Sequence, residues 1–324
     1  MCRKMAVCEM FLVGILLIQF GWPFDARAEE RGFPNRPIQV IVPFGSGSAA
    51  DITSRILAPY LEKRFKQSFV ILNKPGGGSV LGYTIIAKSK PDGYTIGHVS
   101  SVFSAGFILH RDLEFTYESF EPICGFVKLA AFFVVRADAS WKTLKEFVAD
   151  AKKNPGRLRY ATQGHLTIYH LAATDFCEQA GIKLTHIPQA GVGDAITQLI
   201  GKHVEMAVVA TTLGHLPAGR LRALAVGTEE RLGLYPNIPT LMELGYGVVC
   251  APHTGHMVPK GTPNTIKEKL AQGYLQTLKE NQKAISDAFL KLDEFLVILD
   301  PSEYAKIMKR DYEYCMRYKG MKFE

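Results

Sequence analysis

The chain has 324 residues, of which 47% are hydrophobic and 21% charged, a composition typical of globular proteins and unlike that of disordered chains. Its formal net charge is +7, but the basic residues are spread along the chain, without the basic and aromatic stripe that nucleic-acid binding requires. We therefore expect no nucleic-acid partner and at most a preference for anionic ligands.

The first 28 residues differ from the rest of the chain. Arg3 and Lys4 precede an apolar stretch at 11–20, which is half of the roughly 20 residues that span a bilayer. The triplet ARA at 26–28 then fits a signal-peptidase site. We predict a cleaved signal peptide over 1–28 and a periplasmic protein with no stable membrane insertion. The alternative is a short buried N-terminal helix.

After the signal, hydrophobic periodicity alternates between the spacings of strands and helices. The predicted order is β-α-β-α-β, which indicates a parallel sheet with functional loops at the carboxyl ends of its strands. The strands are predicted at IQVIVPF (38–44), FVILN (69–73) and YTIGHVSS (94–101), and the helices at 51–66 and 80–89.

A second α/β series follows KLAAFFVV (128–135), and the chain ends in helices. A capping box from Thr143 to Glu146 predicts one helix start, and Gly181 predicts the end of another. Two such units in tandem predict two lobes. Long strands near 126–136 and 248–258 are predicted to carry the chain across and back, with a ligand cleft between the lobes.

The stretch PFGSGSAAD (43–51) contains a G-x-G-x-x-A pattern between a strand and a helix. A dinucleotide site also needs an acidic residue at the end of the second strand, where this chain has Asn73, and no Walker pattern is present. The stretch better fits an anion site at a helix N-terminus. Gly45 and Gly47 would let the backbone approach the ligand, and Ser46 and Ser48 would donate hydrogen bonds.

Asp51 has two interpretations. It is interpreted first as the cap at the start of the helix, and alternatively as the partner of a cationic group on the ligand.

Two loops in the second series also lie between a strand and a helix, at TQGHLT (162–167) and QAGVG (189–193). The segments 44–51, 162–170 and 189–194 contain no Lys or Arg. Neutral donors and helix ends would therefore have to hold any anion, which favours a small carboxylate over a polyphosphate.

The sequence offers little for catalysis or metal binding. It has no G-x-S-x-G elbow and no arranged triad, so we predict no catalytic residues. His165 with His170, or His253 with His256, would supply two metal ligands, but spacing implies no third. We expect structural roles for these histidines, no metal and no cofactor.

Beyond the predicted signal, the cysteines are Cys124, Cys177, Cys250 and Cys315, with no C-x-x-C motif. Buried free thiols are expected. The alternative is one bridged pair among the four.

The order of several short motifs resembles the Bug family, the extracytoplasmic solute receptors of tripartite tricarboxylate transporters. The matching stretches are FPNRPIQVIVPF, the loop ending in Asp51-x-x-x-Arg55, NKPGGGSVLG (73–82), KPDGYTI (90–96), NPGRLRYAT (154–162), HLA (170–172), HIP (186–188), LRALAVGTEERLGLYPNIPTLMELGY (221–246) and VPKGTP (258–263).

The resemblance implies a type II periplasmic-binding-protein fold, α/β, with two lobes joined by two crossing strands. Lobe 1 would comprise 29–127 and 251–324, and lobe 2 would comprise 128–250. The implied protein is a monomeric receptor that closes on a small organic carboxylate and delivers it to membrane permease subunits. The ligand-binding residues that the resemblance implies are Gly45, Ser46, Ser48, Ala49, Ala50, Asp51, Thr162, Gln163, Gly164, His165 and Thr167. From the glycine-rich loops themselves we add Gly47, Gln189, Gly191 and Asp194.

The chain departs from the family pattern at several positions. Leu166 stands where the family usually has glycine, and Gln189-Ala190-Gly191 stands where it often has Tyr-Lys-Gly. Asp194 stands where proline is common, Gln198 stands where an acid is common, and Ser48 stands where a second glycine is usual. These departures predict an unusual distal part of the ligand. Two alternatives stay open: an enzyme that uses His165 or His170 as a base, and a receptor for a membrane signalling partner.

Overall fold

The computed structural model describes residues 32–101, 113–212 and 214–319. The predicted signal peptide lies outside the described residues. From Pro34 onward the chain forms one compact unit, a mixed α/β fold with two sheets. The strands are β1 Ile38–Val42, β2 Phe69–Asn73, β3 Thr95–Ser100, β4 Phe120–Lys128, β5 Phe132–Arg136, β6 Arg159–Thr162, β7 Thr185–Pro188, β8 Met206–Val209, β9 Leu221–Val226, β10 His253–Pro259 and β11 Phe295–Leu299. The helices are α1 Ala49–Phe65, α2 Val80–Ala87, α3 Leu144–Lys153, α4 Ile168–Ala180, α5 Val192–Ile200, α6 Asn264–Glu280, α7 Gln282–Leu290 and α8 Pro301–Met316.

The first lobe is built on a six-stranded sheet with the order β11-β4-β10-β3-β1-β2. Strands β1, β2 and β3 are parallel, as the βαβαβ pattern predicts. Strand β10 then pairs antiparallel with both β3 and β4. The carboxyl ends of β1 and β3 thus point to one edge of the sheet, where the loop before α1 begins.

The second lobe is built on a five-stranded sheet with the order β7-β6-β8-β5-β9. Strands β6, β7 and β8 are parallel, and β5 runs antiparallel between β8 and β9. Buried side chains cover both faces of this sheet. Two predicted helix boundaries are confirmed. Thr143 caps the start of α3 through a capping box, and Gly181 ends α4 in the left-handed region.

Two segments cross between the lobes side by side, as the sequence predicts. The Leu129 N–H donates to the Pro252 carbonyl at 2.8 Å, and the Ala131 N–H donates to the Cys250 carbonyl at 3.0 Å. The predicted long strand near 126–136 is in fact two strands, because β4 ends at Lys128 and β5 begins in the other sheet. The second crossing is extended but becomes a strand only at β10.

Two further links join the lobes. Asp293, between α7 and β11, accepts hydrogen bonds of 2.9 Å from Thr211, Thr212 and Tyr235 of the second lobe. Tyr314, near the end of α8, donates to Asp175 of α4 at 2.7 Å. Neither α7 nor β11 was predicted from the sequence.

The four cysteines beyond the predicted signal are free thiols, and three of them are buried. This agrees with the sequence expectation. Among the described residues, no helix combines the length and apolar character needed to cross a membrane.

Candidate functional site

A cavity of about 360 Å³ lies between the two lobes. The loop before α1 and the start of α1 contribute Phe44, Ser48, Ala49 and Ala50, and the start of α4 contributes Thr167, Ile168 and Tyr169. The crossing segments contribute Leu129 and Pro252. Among the described lining residues there is no Lys or Arg, as the sequence predicts for the three loops.

The loop 43–51, called here the first jaw, is held by a buried carboxylate. Asp51 is 2% exposed and accepts hydrogen bonds from the Gly47 N–H at 2.9 Å, the Arg55 Nε at 2.9 Å and the Asn73 Nδ2 at 3.0 Å. The interpretation of Asp51 as the helix cap is wrong. Ser48 is the N-cap, and its Oγ accepts from the Asp51 N–H at 3.3 Å.

These contacts also decide the charge of Asp51. Burial acts to raise the pKa of its carboxyl, but the hydrogen bonds from Arg55, Gly47 and Asn73 outweigh burial and lower the pKa. The ionised carboxylate therefore fixes Gly47, which has a φ of 81°, and draws its hydrogen bonds from the protein itself. Asp51 shapes the first jaw from behind, and it is not among the described residues that line the cavity.

The loop 162–167, called here the second jaw, ends at the N-cap of α4. The Thr167 Oγ1 accepts from the His170 N–H at 3.4 Å, and both Thr162 and Thr167 donate to the Gly164 carbonyl, at 2.8 and 3.1 Å. Leu166 has a φ of 55°, which explains why a glycine suits this position. Its side chain is nonetheless buried in the lobe core.

Three histidines, one of them in the second jaw itself, form a stack at this loop. The rings of His170 and His186 lie 3.8 Å apart and nearly parallel, at 15°, and His165 lies 5.1 Å from His170. The stack positions the jaw, because the Leu166 N–H donates to His170 Nδ1 at 3.1 Å and Thr162 Oγ1 lies 2.8 Å from His186 Nε2. Burial, with the neighbouring imidazoles, lowers the pKa of His170 to about 3 and of His186 to about 4.

The ligand atoms of His165, His170 and His186 lie within 4.8 Å of one another, so His186 supplies the third nitrogen that sequence spacing did not. Their geometry favours support of the loop over metal coordination. The Nδ1 lone pair of His170 already accepts from Leu166, and the lone pairs of two parallel rings do not converge on one ion, since a metal lies in the plane of each imidazole. Of the other predicted pair, His256 uses its ring nitrogens within the protein, where it contacts Tyr274 at 2.7 Å and Ser54 at 3.3 Å.

The loop 189–193 leads into α5, whose Val192 also lines the cavity. Gly191 is the N-cap residue and provides no side-chain cap. Gln189 turns back to the Ile187 carbonyl at 3.1 Å, and Asp194 is exposed in the first turn. The cavity therefore meets the N-termini of three helices, and the first N–H groups of a helix have no intrahelical acceptor.

Of the predicted site residues, the cavity lining includes Ser48, Ala49, Ala50, Gln163 and Thr167. Gln163 is held by its Oε1, which accepts from the Ala210 N–H at 3.0 Å. The other predicted residues are not among the described lining, namely Gly45, Ser46, Gly47, Asp51, Thr162, Gly164, His165, Gln189, Gly191 and Asp194. Sequence analysis missed the deeper lining, which includes Tyr83, His98, Tyr169, Thr254 and Glu294.

Comparison with known proteins adds an independent observation. Residues 53–311 match the family model described as "Tripartite tricarboxylate transporter family receptor". The chain belongs to this family. The resemblance inferred from the motifs is thus confirmed, and so is the type II periplasmic-binding fold with its two lobes and crossing segments.

Individual proteins are similar to nearly the whole chain. Protein BugT of Bordetella pertussis is 30% identical over 309 residues, which cover 94% of this chain and 92% of BugT. The periplasmic binding protein BugD is 28% identical with a TM-score of 0.72, covering 89% of this chain and 98% of BugD. MatC from Rhodopseudomonas palustris, solved with bound malate, shares the fold at 23% identity and a TM-score of 0.73, covering 88% and 99%.

Proposed function

We propose that the protein is a periplasmic receptor that captures a small organic carboxylate between its lobes and delivers it to the membrane permease subunits of a tripartite tricarboxylate-type transporter. The single observation that carries this proposal is the inter-lobe cavity, where helix N-termini from both lobes meet and no cationic side chain lies among the described lining. Backbone N–H groups and the helix dipole stabilise a carboxylate in such a place.

Binding would proceed by closure of the lobes. The donors of the first jaw belong to one lobe and those of the second jaw to the other, so only the closed state lets one ligand contact both. A ligand with such differential contacts shifts the population towards the closed state. The crossing segments at Leu129–Ala131 and Cys250–Pro252 would serve as the hinge.

The proposal needs no catalytic step and no cofactor, and it assigns the described loops to binding. It includes export through the predicted signal peptide over 1–28 and the lobe boundaries at 127/128 and 250/251. The first boundary is supported by the passage of the chain from one sheet to the other between Lys128 and Phe132, and the second by its return between Val226 and His253.

A thermal-shift screen tests the proposal. Hexanoate, malate and adipate are compared with the amides of the same chain length, so that each pair differs in charge and little in shape. A bound acid at a hundredfold excess over its Kd stabilises the folded protein by about 2.7 kcal/mol. We expect an acid, and not its amide, to raise the Tm. Equal shifts for acid and amide, or no shift with any acid, would contradict the proposal.

A further inference from the structure

Glu294 is a buried carboxyl group in the wall of the inter-lobe cavity. It lies between α7 and β11, is 5% exposed, and lines the cavity together with Ala49 and Ala50 of α1. Among the described residues its hydrogen-bond partner is Thr53, whose Oγ1 lies 2.6 Å from Glu294 Oε2. A buried carboxylate without a cationic partner is costly, so such groups tend to take up a proton.

The hydrogen bonds of Thr53 show which protonation state the site favours. Its Oγ1 lies 2.6 Å from the Ala49 carbonyl oxygen as well as 2.6 Å from Glu294. The hydroxyl has one proton, and the carbonyl can only accept. An ionised Glu294 would leave one of these two short contacts without a proton. When Glu294 is a carboxylic acid, it donates to Thr53, which donates to Ala49, and both contacts are satisfied.

Among the described residues, four basic side chains on the neighbouring elements supply no compensating positive charge to Glu294. His98 of β3 lines the same cavity, and burial lowers its pKa to about 4, so it is neutral. His256 of β10 is also buried, and burial lowers its pKa. Lys128 of β4, which lies opposite Phe295 in register, pairs with Glu229 at 3.2 Å. Arg55 of α1 is engaged by Asp51 at 2.9 Å.

The cavity lining also includes two phenols, and one acid, Asp293, precedes Glu294 in the chain. Tyr83 and Tyr169 line the cavity, and burial raises the pKa of each, so both are neutral donors. The hydroxyl of Tyr169 is buried without a hydrogen-bond partner among the described residues. The carboxylate of Asp293 accepts hydrogen bonds from Thr211, Thr212 and Tyr235. In these surroundings burial raises the pKa of Glu294 to about 7, although the Thr53 hydrogen bond opposes the shift.

We propose that Glu294 belongs to the binding site as a carboxylic acid, so that the receptor takes up a carboxylate ligand together with one proton. The argument rests on the proposed function. Two successive hydrogen bonds through Thr53 connect Glu294 to Ala49 in the first turn of α1, the helix whose N-terminus would hold the ligand. An ionised Glu294 there would repel the bound carboxylate, whereas the acid form does not.

The same arrangement narrows the class of ligand. An ammonium group near Glu294 would favour the ionised form, so an amino acid would bind with release of a proton. The hydrogen bonds around Thr53 favour the opposite case, in which the ligand is an organic acid without an amino group. The lining is otherwise mainly apolar, with Phe44, Leu129 and Leu292 among its members, and it suits a hydrocarbon body.

Proton-linked calorimetry tests this inference on the full mature protein. Adipate and hexanoate are titrated in two buffers of different ionisation enthalpy between about pH 6.5 and about pH 8.5, where the acids stay ionised. With a pKa of about 7, we expect uptake to rise from about a quarter of a proton to nearly one per ligand, while affinity falls by up to tenfold per pH unit at the alkaline end.

Two variants sharpen the result. Glu294→Gln keeps the size and a hydrogen-bond donor but does not titrate, so its affinity for the acid should not change between about pH 6.5 and about pH 8.5. Glu268→Gln, at an exposed position of α6 outside the cavity, is the matched control and should keep the wild-type pH dependence. If Glu294→Gln does not fold, the number of protons that the wild type takes up per ligand, measured in the two buffers, still tests the inference.

The outcomes separate the two proposals. Binding of an acid without proton uptake, or with the same pH dependence in Glu294→Gln, overturns this inference and leaves the proposed function intact. Release of a proton on binding would also overturn it and would assign Glu294 to a cationic ligand group. Failure of every acid to bind at about pH 6.5 overturns the proposed function and this inference with it.

Discussion

The two jaws present helix N-termini to the same cavity, but they are supported by different chemistry. The first jaw is held by one ionised carboxylate, Asp51, which gathers hydrogen bonds from Gly47, Arg55 and Asn73. The second jaw is held by neutral imidazoles, with His170 accepting from Leu166. The first jaw therefore depends on the negative charge of Asp51, whereas the second jaw depends on histidines that carry no charge.

The largest expected effect is the loss of stability and of carboxylate affinity when Asp51 of the first jaw is replaced. Replacement of Asp51 by Ala removes the carboxylate that accepts from Gly47, Arg55 and Asn73, and hydrogen bonds to charged groups contribute about 1.5–3 kcal/mol each. We expect Asp51→Ala to lower the free energy of unfolding by about 3 kcal/mol and carboxylate affinity by more than about tenfold. Urea unfolding and calorimetry measure both quantities.

Asp287→Ala is the control for this variant. Asp287 pairs with Lys283 on the exposed face of α7, and such a surface pair contributes less than about 1 kcal/mol. If Asp51→Ala were no more destabilising than Asp287→Ala, the carboxylate would not hold the first jaw.

The second-largest expected effect is a loss of stability at low pH, which comes from the buried histidines that support the second jaw. The pKa of His170 in the folded protein is lowered to about 3, below its unfolded value of about 6.5. Below about pH 6.5 the unfolded chain therefore binds more protons than the folded protein does. The contribution of neutral His170 to the free energy of unfolding is complete above about pH 6.5, and it decreases below that pH by at most about 1.4 kcal/mol per pH unit. His186 adds a smaller loss, because it is partly exposed.

His170→Gln isolates this effect, since a glutamine oxygen can accept from Leu166 but does not titrate. Relative to the wild type, its free energy of unfolding should fall less steeply between about pH 6.5 and about pH 5. His203→Gln, at an exposed position outside the stack, should fall as steeply as the wild type. Identical slopes for all three proteins would disprove the charge-sensitive role of the stack.

The smallest effect compares two glycines within the first jaw. An added Cβ meets no heavy atom within 4 Å at either Gly45 or Gly47, but Gly47 has a φ of 81°. Left-handed backbone costs about 1–2 kcal/mol for other residues. We expect Gly47→Ala to weaken carboxylate binding severalfold and to destabilise the protein by about 1 kcal/mol, with Gly45→Ala close to wild type. Equal affinities in calorimetry would show that the φ of Gly47 does not shape the jaw.

The sequence predicted the parts of the fold that have strong periodicity or clear boundary residues. The strand Phe69–Asn73 and the helix Ile168–Ala180 are at their predicted positions. The predicted boundaries failed where local signals conflict with tertiary pairing. Strand β11 lies half-buried at the edge of its sheet and lacks alternation, and α7 follows α6 with only Asn281 between them.

The same limit applies to the site. The jaws follow from glycines and helix starts, which are local features. Glu294 and His186 depend on contacts between distant segments: Glu294 meets Thr53 across 241 positions of the chain. His186 joins the stack because β7 pairs with β6 in the register that places His186 opposite Tyr160. No spacing rule in one sequence reveals such pairings.

The most direct test of the central claim is an amide chemical-shift titration of the ¹⁵N-labelled mature protein with adipate. If a carboxylate is held between the jaws, the largest shifts should come from Ala49 and Ala50 at the start of α1 together with Ile168 and Tyr169 at the start of α4. Shifts confined to one lobe, or to residues outside the inter-lobe cavity, would contradict the account.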